Sequence, residues 1–139
     1  MNKQKVIQRL NDLMNYELAG ALRYLHYSFM VFGLRRIPVV EHLRKEAEES
    51  FGHATKLGEK ITALGGSPSV GVSESMKGKK KTVEEILKES LKHEMNAVKT
   101  YAGLLKLVKD DIVLDAFVRD FVSEEQSHVE EVEKMLRES

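Results

Sequence analysis

The two halves of this chain carry nearly the same pattern of glutamate and histidine residues, and this near-repeat limits the possible folds more than any other feature. In the first half, Glu17 is followed 36 positions later by His53. In the second half, Glu94 is followed 34 positions later by His128, and Glu125 lies three residues before that histidine. Two helix pairs that each offer a carboxylate and an imidazole predict a two-metal site at the centre of a four-helix bundle.

The repeat extends to two tyrosines and fails at one position. Tyr24 and Tyr101 each follow the first glutamate of their half by seven residues. The first-half counterpart of Glu125, however, is Ser50. The first half therefore lacks a carboxylate that the second half has, and the interpretation of function depends on this difference.

Apolar residues recur at steps of three and four along four long segments, and no segment alternates with period two. This pattern predicts an all-α fold. The expected helices cover about residues 3–32, 38–64, 83–108 and 111–137. Gly33 and Pro38 favour a break between the first two helices, and Thr82 to Glu85 form a capping-box pattern at the start of the third.

The connections predict the topology of the helices. The first two segments, and the last two, are joined by only a few residues, so each pair is expected to form an antiparallel hairpin. Residues 66–81 form a longer link that could extend to about 55 Å, which exceeds the length of about 42 Å for a helix of roughly 28 residues. The link can therefore cross the length of the bundle and place the third helix parallel to the second. We interpret its basic run, residues 77–81, as a solvated surface loop, with the binding of an anionic partner as the alternative.

Composition limits the function classes. The 139 residues suit one domain, residues 1–139, with a substantial core. Basic and acidic residues balance at 22 each, so net charge does not indicate a nucleic-acid partner. Without Cys the chain offers no disulfide and no thiolate site. No stretch approaches the roughly 20 apolar residues of a membrane span, and no signal segment is recognisable, so we expect a soluble, cytoplasmic protein.

Distance from the turns predicts which polar residues meet. Glu17 and His53 each lie 18 residues from Arg35, and the second turn separates Glu94 from His128 almost as evenly. Equal distance from the turn of a hairpin means equal height. The residues expected to converge on one inward-facing layer are Glu17, His53, Glu94, Glu125 and His128. Buried carboxylates cost several kcal/mol each unless they are compensated, and bound cations are the simplest compensation.

With these residues the chain resembles the ferritin-like superfamily, and bacterioferritins most closely. The resemblance covers about residues 5 to 137 and rests on Asn15-Tyr16-Glu17-Leu18-Ala19, Tyr24, His53-Ala54, Glu94 and Glu124-Glu125-Gln126-Ser127-His128. It implies a ferritin-like four-helix bundle with a di-iron centre. Glu17 and His53 would hold one metal, Glu94 and His128 the other, and Glu125 would bridge them. The resemblance also implies that Tyr24 lies beside the site as a radical or electron donor, with Tyr101 as its pseudo-symmetric partner; core packing is the alternative role for both.

Three positions depart from the bacterioferritin pattern. Ser50 replaces a bridging glutamate, and Phe51 stands where the haem-ligand methionine is found, so no haem is expected. The sequence ends at Ser139, where a short further helix follows in cage-forming relatives. We therefore expect a homodimer rather than a 24-subunit cage. The residues expected to form its interface are Leu22, Leu25, Phe29 and Phe32.

The missing carboxylate at position 50 leaves a charge to be balanced. Two divalent ions carry four positive charges, whereas Glu17, Glu94 and Glu125 supply three negative ones. Glu46, one helical turn before Ser50, is the best substitute ligand. Glu49 and a bound hydroxide or oxo group remain alternatives.

Two function classes follow from these residues. The favoured one is a metal-binding protein that oxidises Fe(II) with dioxygen or peroxide, with Fe in the two-metal centre and Mn or Zn as other possible ions. The alternative is a non-catalytic metal-binding or interaction bundle in which Ser50 marks a degenerate site.

Overall fold

A computed structural model describes residues 1–72, 77–78 and 80–137 of the chain. It contains four long helices: α1 (Lys3–Phe29), α2 (Arg36–Ala63), α3 (Val83–Val108) and α4 (Ile112–Leu136). No β-strand occurs within the described ranges, in agreement with the predicted all-α fold. The first helix ends three residues earlier than the apolar pattern suggested, and α2 begins two residues earlier.

The break between α1 and α2 is made by Gly33 and Arg36. Gly33 has a φ of 95°, a left-handed conformation that glycine adopts without steric cost. Its carbonyl accepts a hydrogen bond from the backbone N–H of Arg36 at 3.1 Å. The Arg36 guanidinium donates to the carbonyl oxygens of Val31 and Ser28 near the end of α1. These bonds satisfy carbonyls that a helix end leaves without an intrahelical partner.

Two further helix ends follow standard capping chemistry. α2 closes in a Schellman motif, in which Gly65 has a φ of 85° and the Gly66 N–H donates to the Ile61 carbonyl at 2.9 Å. The predicted capping box at the start of α3 is confirmed, because Glu85 N–H donates to Thr82 Oγ1 at 3.1 Å and Thr82 N–H donates to Glu85 Oε1 at 3.3 Å.

Contacts within the chain group it into two units. One contains Met1–Arg9 and Leu87–Ser139, and the other contains Leu10–Ile86. In the first unit, the Tyr101 and Phe121 rings stack with centroids 4.9 Å apart, and Phe117 meets Phe121 edge-on at 5.0 Å. In the second unit the largest fully buried apolar side chains are Leu10, Leu13, Leu43, Leu57, Ile61 and Ile86.

The start of the link after α2 is tied to α1 by two asparagines. The Asn11 side chain accepts a hydrogen bond from Ser69 N–H at 2.8 Å. The Asn15 side chain donates to the Ser69 carbonyl at 2.7 Å and accepts from Gly71 N–H at 2.8 Å. The path of this segment is therefore set by side chains of α1, and the bonds reach within two residues of Glu17.

The end of the link also contacts α1. A Cβ atom on Gly78 would lie 3.0 Å from two ring atoms of His26 and 3.2 Å from Met30 Cε, so glycine permits this close approach. The ammonium of Lys81 lies 5.5 Å from the centroid of the Tyr27 ring, within cation–π range. The predicted solvated character of the basic run holds for Lys77 and Lys80, which are exposed, but Lys81 is half-buried. Lys79 lies outside the described residues.

None of the helices, over the residues that the structure describes, is long and apolar enough to cross a membrane.

Candidate metal centre

The α1–α2 hairpin brings one carboxylate and one imidazole together. Glu17 lies on the apolar stripe of α1 and His53 on that of α2, and both are buried. The Glu17 Oε1 atom is 3.6 Å from His53 Nδ1. The prediction that equal distance from the turn gives equal height is confirmed for this pair.

The α3–α4 hairpin brings together two carboxylates and one imidazole. Glu94 and Glu125 are buried, and His128 is half-buried. His128 Nδ1 lies 3.5 Å from Glu94 Oε2 and 3.6 Å from Glu125 Oε2. The three residues each offer a ligand atom, and these atoms all lie within 4.8 Å of one another. We call this group the α3–α4 cluster.

These separations fit ligands that share a metal ion. Nitrogen and oxygen ligands bind a divalent ion at about 2.1 Å. Two such atoms separated by a tetrahedral angle about the ion are therefore about 3.4 Å apart. The observed distances of 3.5 and 3.6 Å exceed those of ordinary N–H···O hydrogen bonds. The donor set of carboxylate oxygen and imidazole nitrogen suits divalent iron, manganese or zinc.

Burial makes the charge of the α3–α4 cluster costly without a cation. Two carboxylates lie there almost out of contact with water. Removing an ionised carboxylate from water costs several kcal/mol even after relaxation. One divalent ion would balance both charges, so the cluster has the composition of a complete binding position.

The α1–α2 pair is poorer in charge, and Ser50 is the reason. Ser50 is 5% exposed and shares the buried face of α2 with His53. Glu46 also lies on this face and is 6% exposed, whereas Glu49 is only half-buried. Burial therefore favours Glu46 over Glu49 as the source of a further carboxylate on this helix.

The two repeat tyrosines are both buried. Tyr101 stacks on Phe121 and contributes to core packing. Tyr24 is buried on α1, seven residues after Glu17. Its role as an electron donor stays a prediction.

Several polar side chains lie outside the predicted set. His26, His42 and His93 are half-buried, and none of them is among the predicted ligands. Ser90, which is buried one helical turn before Glu94, was not singled out. Its position on the apolar stripe of α3, four residues before Glu94, was the available signal.

Comparisons with known proteins agree with this geometry. A family described as the ferritin-like domain matches residues 7–139. The bacterial non-heme ferritin of Escherichia coli O6:H1 is 30% identical over 94 residues, which are 68% of this chain and 57% of that protein. The chain thus aligns with little more than half the length of this relative. The bacterioferritin of Brucella melitensis biotype 1 is 29% identical over 136 residues, covering 95% of this chain and 83% of the relative.

A solved structure matches the entire fold. It is the ferritin-like, diiron-carboxylate protein of Bacillus anthracis, with a TM-score of 0.87, 25% identity and coverage of 97% of both chains. The predicted ferritin-like four-helix bundle, built from the hairpins α1–α2 and α3–α4, is thereby confirmed. The resemblance to bacterial ferritins and bacterioferritins is confirmed as distant homology.

Proposed function

This chain belongs to the ferritin-like family, and from that premise we propose that it oxidises Fe(II) with dioxygen or peroxide at a two-metal centre. Residues 1–139 would act as a single ferritin-like domain. The observation that carries the proposal is the α3–α4 cluster, in which Glu94, Glu125 and His128 offer a buried set of ligands for one divalent ion. We propose iron as the metal, without haem, and a cytoplasmic setting.

The second position would be built on the α1–α2 pair. We propose that Glu17 and His53 hold one iron, that Glu94 and His128 hold the other, and that Glu125 bridges them. Joining the pair to the cluster is supported by the match to the diiron-carboxylate protein of Bacillus anthracis along nearly the full length of both chains.

The residues of the chain would bind and orient the iron, and their burial would limit access of bulk water. Fe(II) is the substrate: each ion gives up one electron, and two ions supply the two electrons needed to reduce dioxygen to peroxide or peroxide to water. Neutral imidazoles and ionised carboxylates are the ligand forms that bind it. Glu46 would supply the carboxylate that Ser50 cannot.

The test is iron stoichiometry combined with oxidation rate. Purified protein titrated anaerobically with Fe(II) should bind about two ions per chain and oxidise them when dioxygen or peroxide is added. Glu94→Ala should lower the stoichiometry to at most about one ion per chain and slow oxidation by about 100-fold, because it removes a ligand of only one of the two ions. Glu131→Ala, which removes an exposed glutamate from α4, should change neither. Failure of the unmodified protein to bind Fe(II) would contradict the proposal.

Ser50 specifically favours a second candidate function. A metal-binding bundle without catalysis would bind one ion at the α3–α4 cluster, and the incomplete α1–α2 pair would bind none. Binding of one ion without oxidation of Fe(II) would establish this alternative.

We further propose that the chain forms a homodimer through an apolar surface on α1. Leu22, Leu25 and Phe29 are exposed on this helix. Phe32, which the sequence also placed in the interface, lies beyond the end of α1 and lines a cleft at the α1–α2 turn instead. Contiguous exposed apolar side chains of this size are typical of protein interfaces. Light scattering should give the mass of a dimer, and Leu25→Glu should convert it to a monomer while leaving iron stoichiometry unchanged. A monodisperse monomer before substitution would contradict the proposal.

A further inference from the structure

A cleft of about 640 Å³ lies where the turn between α1 and α2 meets the end of the link. The residues lining it are Phe32, Leu34, Arg35, Lys80, Lys81, Thr82 and Val83. None of the predicted metal ligands is among them. Its volume falls within the roughly 300–1,000 Å³ of pockets that bind small molecules.

One wall of the cleft is apolar and open to water. Phe32 is 59% exposed, and Leu34 is fully exposed. The left-handed conformation of Gly33 makes the turn that separates these two side chains. A ligand with an apolar group could cover them, and each Å² of apolar surface removed from water contributes about 25 cal/mol.

The polar groups of the cleft are mainly cationic. Arg35, Lys80 and Lys81 supply three positive charges, and none of the described residues that line the cleft carries a carboxylate. The carboxylate of Glu85, which caps the start of α3, accepts hydrogen bonds from the hydroxyl group and the backbone N–H of Thr82. An anion bound beside these cationic side chains would interact favourably with them.

The basic side of the cleft is held in place by contacts already described. Gly78 packs closely on the His26 ring, and Lys81 lies over the Tyr27 ring. These contacts orient part of the charged wall before any ligand arrives. A preorganised site loses less conformational entropy on binding than a mobile one.

We propose that this cleft binds a small organic anion that carries an apolar group, such as a medium-chain carboxylate. The anionic group would lie among Arg35, Lys80 and Lys81, and the apolar group would cover Phe32 and Leu34. The site is separate from the proposed metal centre, so it could bind its ligand with or without iron.

The test uses the anionic dye 1-anilinonaphthalene-8-sulfonate on the full chain, with decanoate as the competitor. Decanoate should displace the dye. Lys80→Gln and Arg35→Gln should each weaken binding of both compounds about fivefold, the scale of losing one exposed charge interaction. Lys77→Gln, which removes an exposed charge of the same link outside the cleft, should leave binding unchanged. Circular dichroism should show equal helix content in all variants.

Two further competitors separate the contributions of charge and apolar contact. Decanol lacks the charge and inorganic phosphate lacks the apolar group, so each should displace the dye at least about tenfold less well than decanoate at constant ionic strength. Equal displacement by either compound would overturn the proposal. Unchanged binding in both Lys80→Gln and Arg35→Gln, or equal weakening in Lys77→Gln, would also overturn it.

Discussion

The α1–α2 and α3–α4 hairpins place side chains at corresponding buried positions but fill them with different chemistry. In α3–α4, Glu125 lies one helical turn before His128, and its Oε2 atom is 3.6 Å from His128 Nδ1. In α1–α2, Ser50 occupies the corresponding place before His53 and is buried almost as fully as Glu125. Helical periodicity therefore determines which positions are buried, whereas the residue at a buried position determines the charge available for a cation.

The charge difference predicts unequal affinity of the two halves. One divalent ion at the α3–α4 cluster would be neutralised by Glu94 and Glu125. An ion held by Glu17 and His53 would retain one positive charge unless another carboxylate approached. Uncompensated charge in a buried position is costly. The ion associated with α1–α2 should therefore be the more weakly bound.

The largest effect is expected from Glu125→Ala, which removes the carboxylate that distinguishes the stronger half. Loss of a residue that only hydrogen-bonds a metal ligand typically lowers metal affinity or activity about 10–100-fold. Loss of a direct ligand should exceed this range, so oxidation of Fe(II) should fall by more than about 100-fold. The measurement is stopped-flow oxidation together with iron titration.

Glu124→Ala is the matched control for this variant, because Glu124 is exposed beside Glu125 on α4. It should oxidise Fe(II) at the original rate. Retention of full iron binding by Glu125→Ala would show that the carboxylate is not a ligand.

Ser50→Glu should remove the difference between the halves. With the repeat restored, calorimetric titration should show the weaker binding step strengthened by about tenfold, toward the affinity of the stronger one. Without metal, the added buried carboxylate should reduce the free energy of unfolding by several kcal/mol. Metal binding to the folded state should recover that loss.

Ser50→Ala is the control for loss of the serine, and the affinities of both metal-binding steps should stay unchanged. Equal affinity for two ions in the original chain would show that the missing carboxylate at position 50 does not weaken metal binding.

Glu46→Ala tests how the weaker half obtains its charge. Glu46 is buried on the same face of α2 as Ser50. At an iron concentration that fills the weaker position of the original chain, the variant should fill less than about half of that position. Glu49→Ala should have less effect, since Glu49 is only half-buried. Unchanged iron stoichiometry in Glu46→Ala would indicate that solvent supplies the missing ligand.

The smallest expected effect is a change in the rate of Fe(II) oxidation in Tyr24→Phe but not in Tyr101→Phe. Tyr24→Phe should slow the oxidation of Fe(II) about threefold without changing iron stoichiometry, if the phenol donates an electron near the α1–α2 pair. Tyr101→Phe should leave the rate unchanged, because it preserves the stacking on Phe121. Equal rates for both variants and the original chain would assign Tyr24 to packing alone.

Repeating sequence patterns made it possible to predict the four helices, the α1–α2 pair and the α3–α4 cluster. Glu17, Glu94 and Glu125 lie on stripes of apolar residues, so the helical period alone indicates that they face inward. Thr82 and Glu85 predicted the start of α3 because the capping box is local in sequence.

Features that depend on distant partners could not be predicted in this way. Val31 and Phe32 continue the apolar pattern of α1, yet Gly33 and the Arg36 guanidinium end the helix at Phe29. The half-burial of Lys81 depends on contact with Tyr27, which lies far away in sequence. Hydrophobic periodicity carries no information about such contacts. The cleft at the α1–α2 turn could not be predicted either, because residues far apart in sequence line it.

The hydrogen bonds that join Asn11 and Asn15 to Ser67, Ser69 and Gly71 all use main-chain atoms of those three link residues. Any residue with an ordinary N–H and carbonyl could replace Ser69 or Val70 without breaking them. The information that sets the course of this segment is therefore encoded in α1, outside the segment itself. To redirect this part of the link, a designer would substitute the two asparagines. The side chains at positions 69 and 70 could be changed without loss of these hydrogen bonds.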